Sequence, residues 1–351
     1  MKNKKFFFEI LIKWTRNENK RQMPWKGEKD PYKIWISEII LQQTRVQQGL
    51  EYYNRFIKKW PSVKELANAP DQDIYKQWEG LGYYSRCKNL ITTAKYITNE
   101  LDGRFPERYE DILSLSGIGD YTAAAIASFA FNQPYAVVDG NVFRILARFF
   151  GIKMPVYNTE GKKVFKKLAN ELIEKNNPAE YNQAIMDFGA VVCKPAAPLC
   201  SECPLSIKCI AFQKGIVNAL PVKEKSIKQR KRFFNYLLVE QGSNIYINQR
   251  TDKDIWQNLY EFILVETEEL VPEDEFLQSS KVSALFGSNE FKVNKISRIY
   301  HQKLTHQIIT GRFFHIKIKN SKACLMKYKS IPVSQLKNLA FPKFIASYLQ
   351  D

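Results

Sequence analysis

Four of the six cysteines of this 351-residue chain crowd together as Cys193-x6-Cys200-x2-Cys203-x5-Cys209. Four thiolates at such short separations can close around one soft metal centre once the intervening loop folds. A structural zinc uses similar loops but usually pairs two C-x2-C knuckles, and only Cys200 and Cys203 make that pair here. An iron–sulfur cluster is the other reading, and a disulfide suits the spacing least. A second signature is Leu115-Ser116-Gly117-Ile118-Gly119-Asp120-Tyr121-Thr122. Two glycines around one apolar residue make a tight hairpin, which at a helix N-terminus presents backbone N–H groups to a phosphate. Two carboxylates are placed for acid–base work. Glu38 lies in a helical stretch among Ile34, Ile36, Ile39, Ile40 and Leu41, where burial would raise its pKa. A solvated glutamate on a helix face is the ordinary alternative. Asp139, before Gly140-Asn141-Val142, is placed to face a cationic centre, to cap the helix that follows, or both.

The elements that must hold these residues follow from pattern and punctuation. Residues 1 to 222 read as nearly all helix. Asp30-Pro31, an acidic N-cap followed by Pro at N1, starts a helix expected to run to about Arg45. Further helices are expected at Val63–Ala67, Gln72–Trp78, Ser85–Thr98, Asp111–Leu115, Tyr121–Phe129, Val142–Phe150, Lys162–Glu174 and Tyr181–Val191. Gly80-Leu81-Gly82, Gly103 and the Pro-rich Lys194–Pro204 stretch punctuate them. A basic, polar run at 223–232 reads as a linker. Beyond it, 233–351 reads as a smaller α+β domain with strands at Phe233–Glu240, Asn244–Asn248, Glu261–Glu266, Arg298–His301 and Gly311–Ile318, closed by a helix at Phe341–Leu349.

Composition narrows the partners. Lys and Arg number 53 against 36 Asp and Glu, a net charge of +17, so polyanions are the favoured partners, nucleic acid ahead of an anionic membrane surface. The lysines and Phe6, Phe7 and Phe8 near the N-terminus imitate a signal peptide, but Glu9 and Lys13 interrupt the apolar run and no small-residue cleavage site follows. Phe7, Ile10, Leu11 and Trp14 instead share one face of a docked helix. No apolar run approaches the ~20 residues that span a bilayer. Free thiols point to the reducing cytoplasm.

The hairpin, followed twenty residues later by Val138-Asp139-Gly140-Asn141-Val142 and then by the four-cysteine loop, resembles the endonuclease III superfamily of DNA glycosylases. Within it, the chain is similar to MutY-type adenine DNA glycosylases. The segments that carry the likeness are Met23-Pro24-Trp25, Pro31-Tyr32-Lys33-Ile34-Trp35, Ser37-Glu38-Ile39-Ile40-Leu41-Gln42-Gln43-Thr44, Gly80-Leu81-Gly82-Tyr83-Tyr84-Ser85-Arg86 and Asn182-Gln183-Ala184-Ile185-Met186-Asp187. The likeness runs through the helical part and, more loosely, into the second domain. It implies a mostly α helix-hairpin-helix glycosylase domain (1–222) with a [4Fe-4S] loop at 193–209, plus a smaller α+β MutT-like domain (233–351).

The resemblance also implies roles. Glu38 would protonate the departing purine and assist water, Asp139 would stabilise the sugar cation, and Asn141 and Tyr121 would support both by hydrogen bonding. The four cysteines would hold the cluster and present Lys194 and Lys208 to DNA phosphates. Trp25 and Gln183 match adenine-pocket positions, Lys26 replaces an arginine seen in some members, and Gln43 and Tyr83 match residues that wedge into the duplex. Gly117 and Gly119 would meet the DNA backbone. Leu304, Thr305 and His306 resemble the loop that reads 8-oxoguanine, although Phe is common where Leu304 stands. Endonuclease III-type enzymes that cut the strand carry a lysine where Tyr121 stands, so monofunctional excision is expected. Phe143 likewise stands where some adenine glycosylases have a lysine. The second domain lacks the G-x5-E-x7-R-E-x2-E-E-x-G signature of pyrophosphate hydrolysis. The implied partner is double-stranded DNA with an A:8-oxoG or A:G mispair, bound by a monomer. A bifunctional pyrimidine glycosylase/lyase and a catalytically silent Fe–S DNA-binding protein are the competing readings.

Overall fold

A computed structural model of the chain describes residues 2–156, 158–222, 229–286, 291–319 and 323–351. They form two units, one of residues 1–68 with 89–225 and one of 69–88 with 226–351. Residues 69–88, expected in the helical domain, therefore group with the C-terminal unit. The bonds that place them there are specific. Asn258 Nδ2 donates to the Tyr75 hydroxyl at 2.7 Å, Lys76 Nζ to the Leu339 carbonyl at 2.9 Å, and Phe341 N–H to Glu79 Oε1 at 2.9 Å.

In the helical unit, the Pro31–Leu41 helix begins as its sequence dictates, with Asp30 Oδ1 accepting from Tyr32 N–H at 2.9 Å. It stops at Leu41, short of Arg45, because Gln43 adopts a left-handed backbone with φ 58°. A separate helix, Val46–Lys59, then starts and buries Gly49, Tyr53 and Phe56 on one face. No helix was expected over that stretch. A side chain at Gly49 would come within 2.8 Å of Leu41 Cδ2, so the two helices cross closely there. Pro31–Leu41 is buried almost all round, between Val46–Lys59 and the alanine-rich Asp120–Phe129 helix. The N-terminal helix Lys2–Asn17 docks through Phe7, Leu11 and Trp14. Its Phe7 ring lies 4.9 Å from Phe149, and Trp14 lies 4.9 Å edge-on from Phe188. Each such burial stabilises by on the order of 2 kcal/mol. No described helix is long and apolar enough to cross a membrane.

The C-terminal unit is built on one sheet. Its strands are β1 (Arg230–Gln241), β2 (Asn244–Gln249), β3 (Tyr260–Glu261), β4 (Ile263–Thr267), β5 (Phe291–Ile296), β6 (Tyr300–Lys303), β7 (Gln307–Ile318) and β8 (Lys329–Pro332). The order is β3-β2-β1-β7-β5, with β4 on β1, β6 on β7 and β8 on β2. β1 and β7 run parallel from Arg230↔Gln307 to Glu240↔Lys317, and the other described pairings are antiparallel. Part of the expected linker, 223–228, lies outside the described residues. Arg230 to Arg232 already belong to β1, because β7 extends far enough to pair with them and Glu266 and Asp254 neutralise Arg232 at 2.6 and 2.8 Å. One sheet face buries Leu237, Val239, Phe314 and Ile316 with residues of the helices Glu273–Leu277 and Ser280–Phe286. On the other, Phe313 stacks on Tyr348 of the closing helix Lys343–Gln350 at 3.9 Å. β5, β8 and the two short helices were not expected, and the expected single strand Glu261–Glu266 divides at Phe262 into β3 and β4.

Candidate active site

A cavity of about 490 Å³ opens in the helical unit and is lined by Trp25, Glu38, Tyr121, Asp139, Asn141 and Gln183, together with Lys26, Lys29, Thr44 and Met186. Six of the residues expected to act together therefore meet in one space, though they come from five separate stretches of chain. Glu38 arrives on the fully packed Pro31–Leu41 helix and keeps 5% exposure. Burial pushes its carboxyl up to about 7, Asp139 nearby pushes in the same direction, and a hydrogen bond from Tyr121 opposes them. Burial, with Glu38 beside it, also holds the Tyr121 phenol well above its usual range.

Asp139 is the N-cap of the Gly140–Phe150 helix. Oδ1 accepts from Val142 N–H at 2.8 Å, and Oδ2 accepts from Asn141 Nδ2 at 2.7 Å. The residue keeps some surface at the cavity wall, but its carboxyl is enclosed, and burial raises it while these donors and Arg144 restrain the rise. Two carboxyls that disfavour joint ionisation are thus given unequal support, Asp139 having more hydrogen-bond donors than Glu38.

Sequence reasoning missed the residue that fixes Asn141. Buried Arg144 donates from Nη2 to Asn141 Oδ1 and to the Gly189 carbonyl, both at 2.7 Å, and from Nε to the Cys193 carbonyl at 2.7 Å. An arginine in an amphipathic helix gives no such signal until the fold supplies the acceptors. Replacing Arg144 by Met should strand those acceptors and destabilise the unit by about 3 kcal/mol. Thermal melting read beside the excision rate would test this, and an unchanged melt would refute it.

The four clustered cysteines line one small pocket of about 30 Å³ with Arg148, Val192 and Phe212. Arg148 donates to the Lys194 carbonyl at 2.7 Å and approaches Cys193 Sγ at 3.5 Å. Among the described residues no three His, Cys, Asp or Glu side chains converge on a single-ion sphere. The four thiols are the sulfur donors on this pocket, a donor set that suits either a four-cysteine zinc or an iron–sulfur group in which each iron takes one thiolate. Lys208 rests over the Phe6 ring, 4.1 Å from its centroid. Phe6 of the N-terminal helix offers that ammonium a π face on the protein itself.

The hairpin forms where expected. Gly117 has φ 75°, and a side chain there would strike Asn89 Cβ at 2.5 Å. A side chain at Gly119 would meet nothing within 4 Å, and Gly119 caps the helix Asp120–Phe129. Neither glycine lines the cavity, and nor does Gln43.

Residues 36–175 match the HhH-GPD superfamily of base excision DNA repair proteins, and residues 235–351 match the NUDIX domain. The adenine DNA glycosylase of Buchnera aphidicola subsp. Schizaphis graminum is 36% identical over 327 residues, spanning 90% of this chain and 90% of its own length. The chain belongs to the adenine DNA glycosylases. The Mus musculus adenine DNA glycosylase is 40% identical over 227 residues, covering 61% of this chain and 44% of its own length. A thermostable thymine-DNA glycosylase superposes with a TM-score of 0.56 at 30% identity, over 61% of this chain and 98% of its own. An endonuclease III–DNA covalent intermediate shares the fold, with a TM-score of 0.53 at 19% identity over 60% of this chain and 96% of its own.

The remaining expected site residues of this glycosylase lie in the C-terminal unit. Leu304, Thr305 and His306 form the turn between β6 and β7, with Thr305 and His306 exposed at its tip. The turn is held from behind by Gln229 Nε2, which donates to the Leu304 carbonyl at 2.7 Å, and by Arg230 N–H to the His306 carbonyl at 2.9 Å. Tyr83, 49% exposed and with φ 48°, brings its hydroxyl within 3.1 Å of Thr305 Oγ1. Two residues 222 positions apart, singled out for different roles, thus share one hydrogen bond.

Proposed function

We propose that this glycosylase removes adenine mispaired with 8-oxoguanine, and with guanine, and leaves the strand uncut. The observation that carries the proposal is the pairing of Glu38, a buried acid pushed up to about 7, with Asp139, a carboxylate braced by Val142 and Asn141, on one cavity. Adenine leaves slowly as an anion, so Glu38 gives its proton to the ring as the C1′–N9 bond breaks. The oxocarbenium ion that remains is faced by Asp139. Water then adds to C1′ and yields a proton to the Glu38 carboxylate, which restores the acid. Tyr121 stands where a strand-cutting enzyme needs an amine. The two lysines on the cavity are committed elsewhere, Lys26 to Asp187 and the Arg21 carbonyl, Lys29 to the Phe129 carbonyl.

The four cysteines would hold a [4Fe-4S] cluster that orders the 193–209 loop. Metal analysis giving roughly four irons per chain supports this, and one zinc per chain overturns it. DNA is the partner that the charge excess and the open hairpin at Gly119 suit, and the β6–β7 turn is the reader of the opposing base. Single-turnover incubation with A opposite 8-oxoguanine, G or T, analysed with and without hot alkali, tests the whole reading. Strand breaks should appear only after alkali and chiefly with the first duplex; breaks without alkali would establish a lyase. His306→Ala should cut the preference for 8-oxoguanine over guanine by about tenfold, one hydrogen bond's worth, while excision opposite guanine persists. Equal losses opposite both bases would remove the turn from recognition.

A further inference from the structure

Asp187 lies on the helix Pro178–Val191, one turn beyond Gln183, and has no exposed surface. Four donors converge on its carboxyl. Arg21 Nη1 and Gln183 Nε2 reach Oδ1 at 2.7 and 2.9 Å, while Asn19 Nδ2 and Lys26 Nζ reach Oδ2 at 2.8 and 3.1 Å. Three of those donors belong to the 19–26 segment that carries Trp25, and the fourth is the amide on the cavity wall. The usual ambiguity of an amide, in which nitrogen and oxygen are hard to tell apart, does not arise here. A carboxylate paired with Arg21 and Lys26 can only accept, so the amide must turn its NH₂ towards Asp187. Its other end, Oε1, is then left on a half-buried side chain that lines the cavity.

We infer that Asp187 is a positioning residue for base selection, holding Gln183 so that the cavity presents an acceptor and admits a purine with an amino group at position 6. The inference rests on the excision of adenine proposed above and names what sets the choice of base. An adenine offers a 6-amino donor to Oε1, whereas hypoxanthine and guanine offer a carbonyl oxygen, and two acceptors face each other. Sites that hydrogen-bond a substrate reject a mismatched polar group far more strongly than apolar pockets reject a missing methylene.

The test uses single-turnover rates at saturating enzyme for adenine and hypoxanthine placed opposite 8-oxoguanine, so that the chemical rate is separated from binding. Asp187→Asn lets the neighbouring amide donate and frees Gln183 to reverse. The adenine-to-hypoxanthine ratio should fall by about tenfold, with adenine losing more. Gln183→Leu should lower the ratio similarly, and adding Asp187→Asn to it should change the ratio no further. If both bases slow by one factor in Asp187→Asn, or the double variant loses the ratio twice, Asp187 merely clamps the 19–26 segment and the inference fails. Should Asp187→Asn not fold, the unmutated enzyme still decides. With rates normalised to uncatalysed hydrolysis, unsubstituted purine should be removed better than hypoxanthine, and the reverse order overturns the assigned amide orientation. Failure to excise adenine at all would sink the underlying function instead.

Discussion

Glu38→Gln is expected to lower adenine excision by on the order of 10²–10⁴-fold while leaving binding to a mispaired duplex intact. The substitution keeps the size and the hydrogen bond with Tyr121 but removes the transferable proton. The pH dependence of the unmutated enzyme should report the same group. As the acid it must be protonated, so on the alkaline side the rate should fall as pH rises through about 7. A rate that climbs across that range would assign the proton to another residue. Stability has a matching sign. The folded pKa lies above the ordinary 4.5, so Glu38 is tolerated when neutral, and its contribution is lost progressively between about pH 4.5 and 7. Above that window Glu38→Gln should therefore be the more stable protein, by about 3 kcal/mol. An inactive variant that is also less stable at pH 8 would give Glu38 a structural role.

Asp139→Asn should cost on the order of 10³-fold in excision with little change in thermal stability. The residue has two duties that this substitution separates. As an N-cap it accepts from Val142 N–H, and asparagine caps nearly as well as aspartate. As a carboxylate it faces the sugar cation, and a neutral amide cannot. Asp139→Ala should add a loss of about 1 kcal/mol from the missing cap. If Asp139→Asn stays active while Asp139→Ala is both slow and unstable, capping alone explains the residue.

Much of this site is legible in the chain's own residues. Asp30-Pro31 is a start signal written in side-chain chemistry, and the isoleucines around Glu38 forecast its burial. The end of that same helix is not legible, because it is set by a left-handed residue at Gln43 with no glycine to mark it. Arg144 and Asp187 are hidden for another reason. Each is a charge within a helix whose meaning comes from groups that only the fold assembles. Gly189 lies 45 positions from Arg144, and Asn19 lies 168 from Asp187. β5 alternates apolar and polar residues only over 291–294 before a register shift at Val293/Lys295, a run too short to announce a strand until β7 offers it an edge. The basic start of β1 reads as linker for the same reason: its counter-charges lie on distant stretches of the chain.

The membership of 69–88 in the C-terminal unit has a consequence for the order of synthesis. This segment leaves the ribosome well before β1 does, and at roughly 5–20 residues per second the interval lasts on the order of ten seconds. Throughout it, Tyr75, buried in the finished protein, waits for Asn258, and Lys76 waits for the Leu339 carbonyl. The C-terminal unit therefore draws on a segment that precedes the linker. A fragment beginning at β1 lacks Tyr75, Lys76 and Glu79 and leaves Asn258, Leu339 and Phe341 without their partners. A gene fusion or transfer that carried only the region after the linker would leave the 69–88 segment behind.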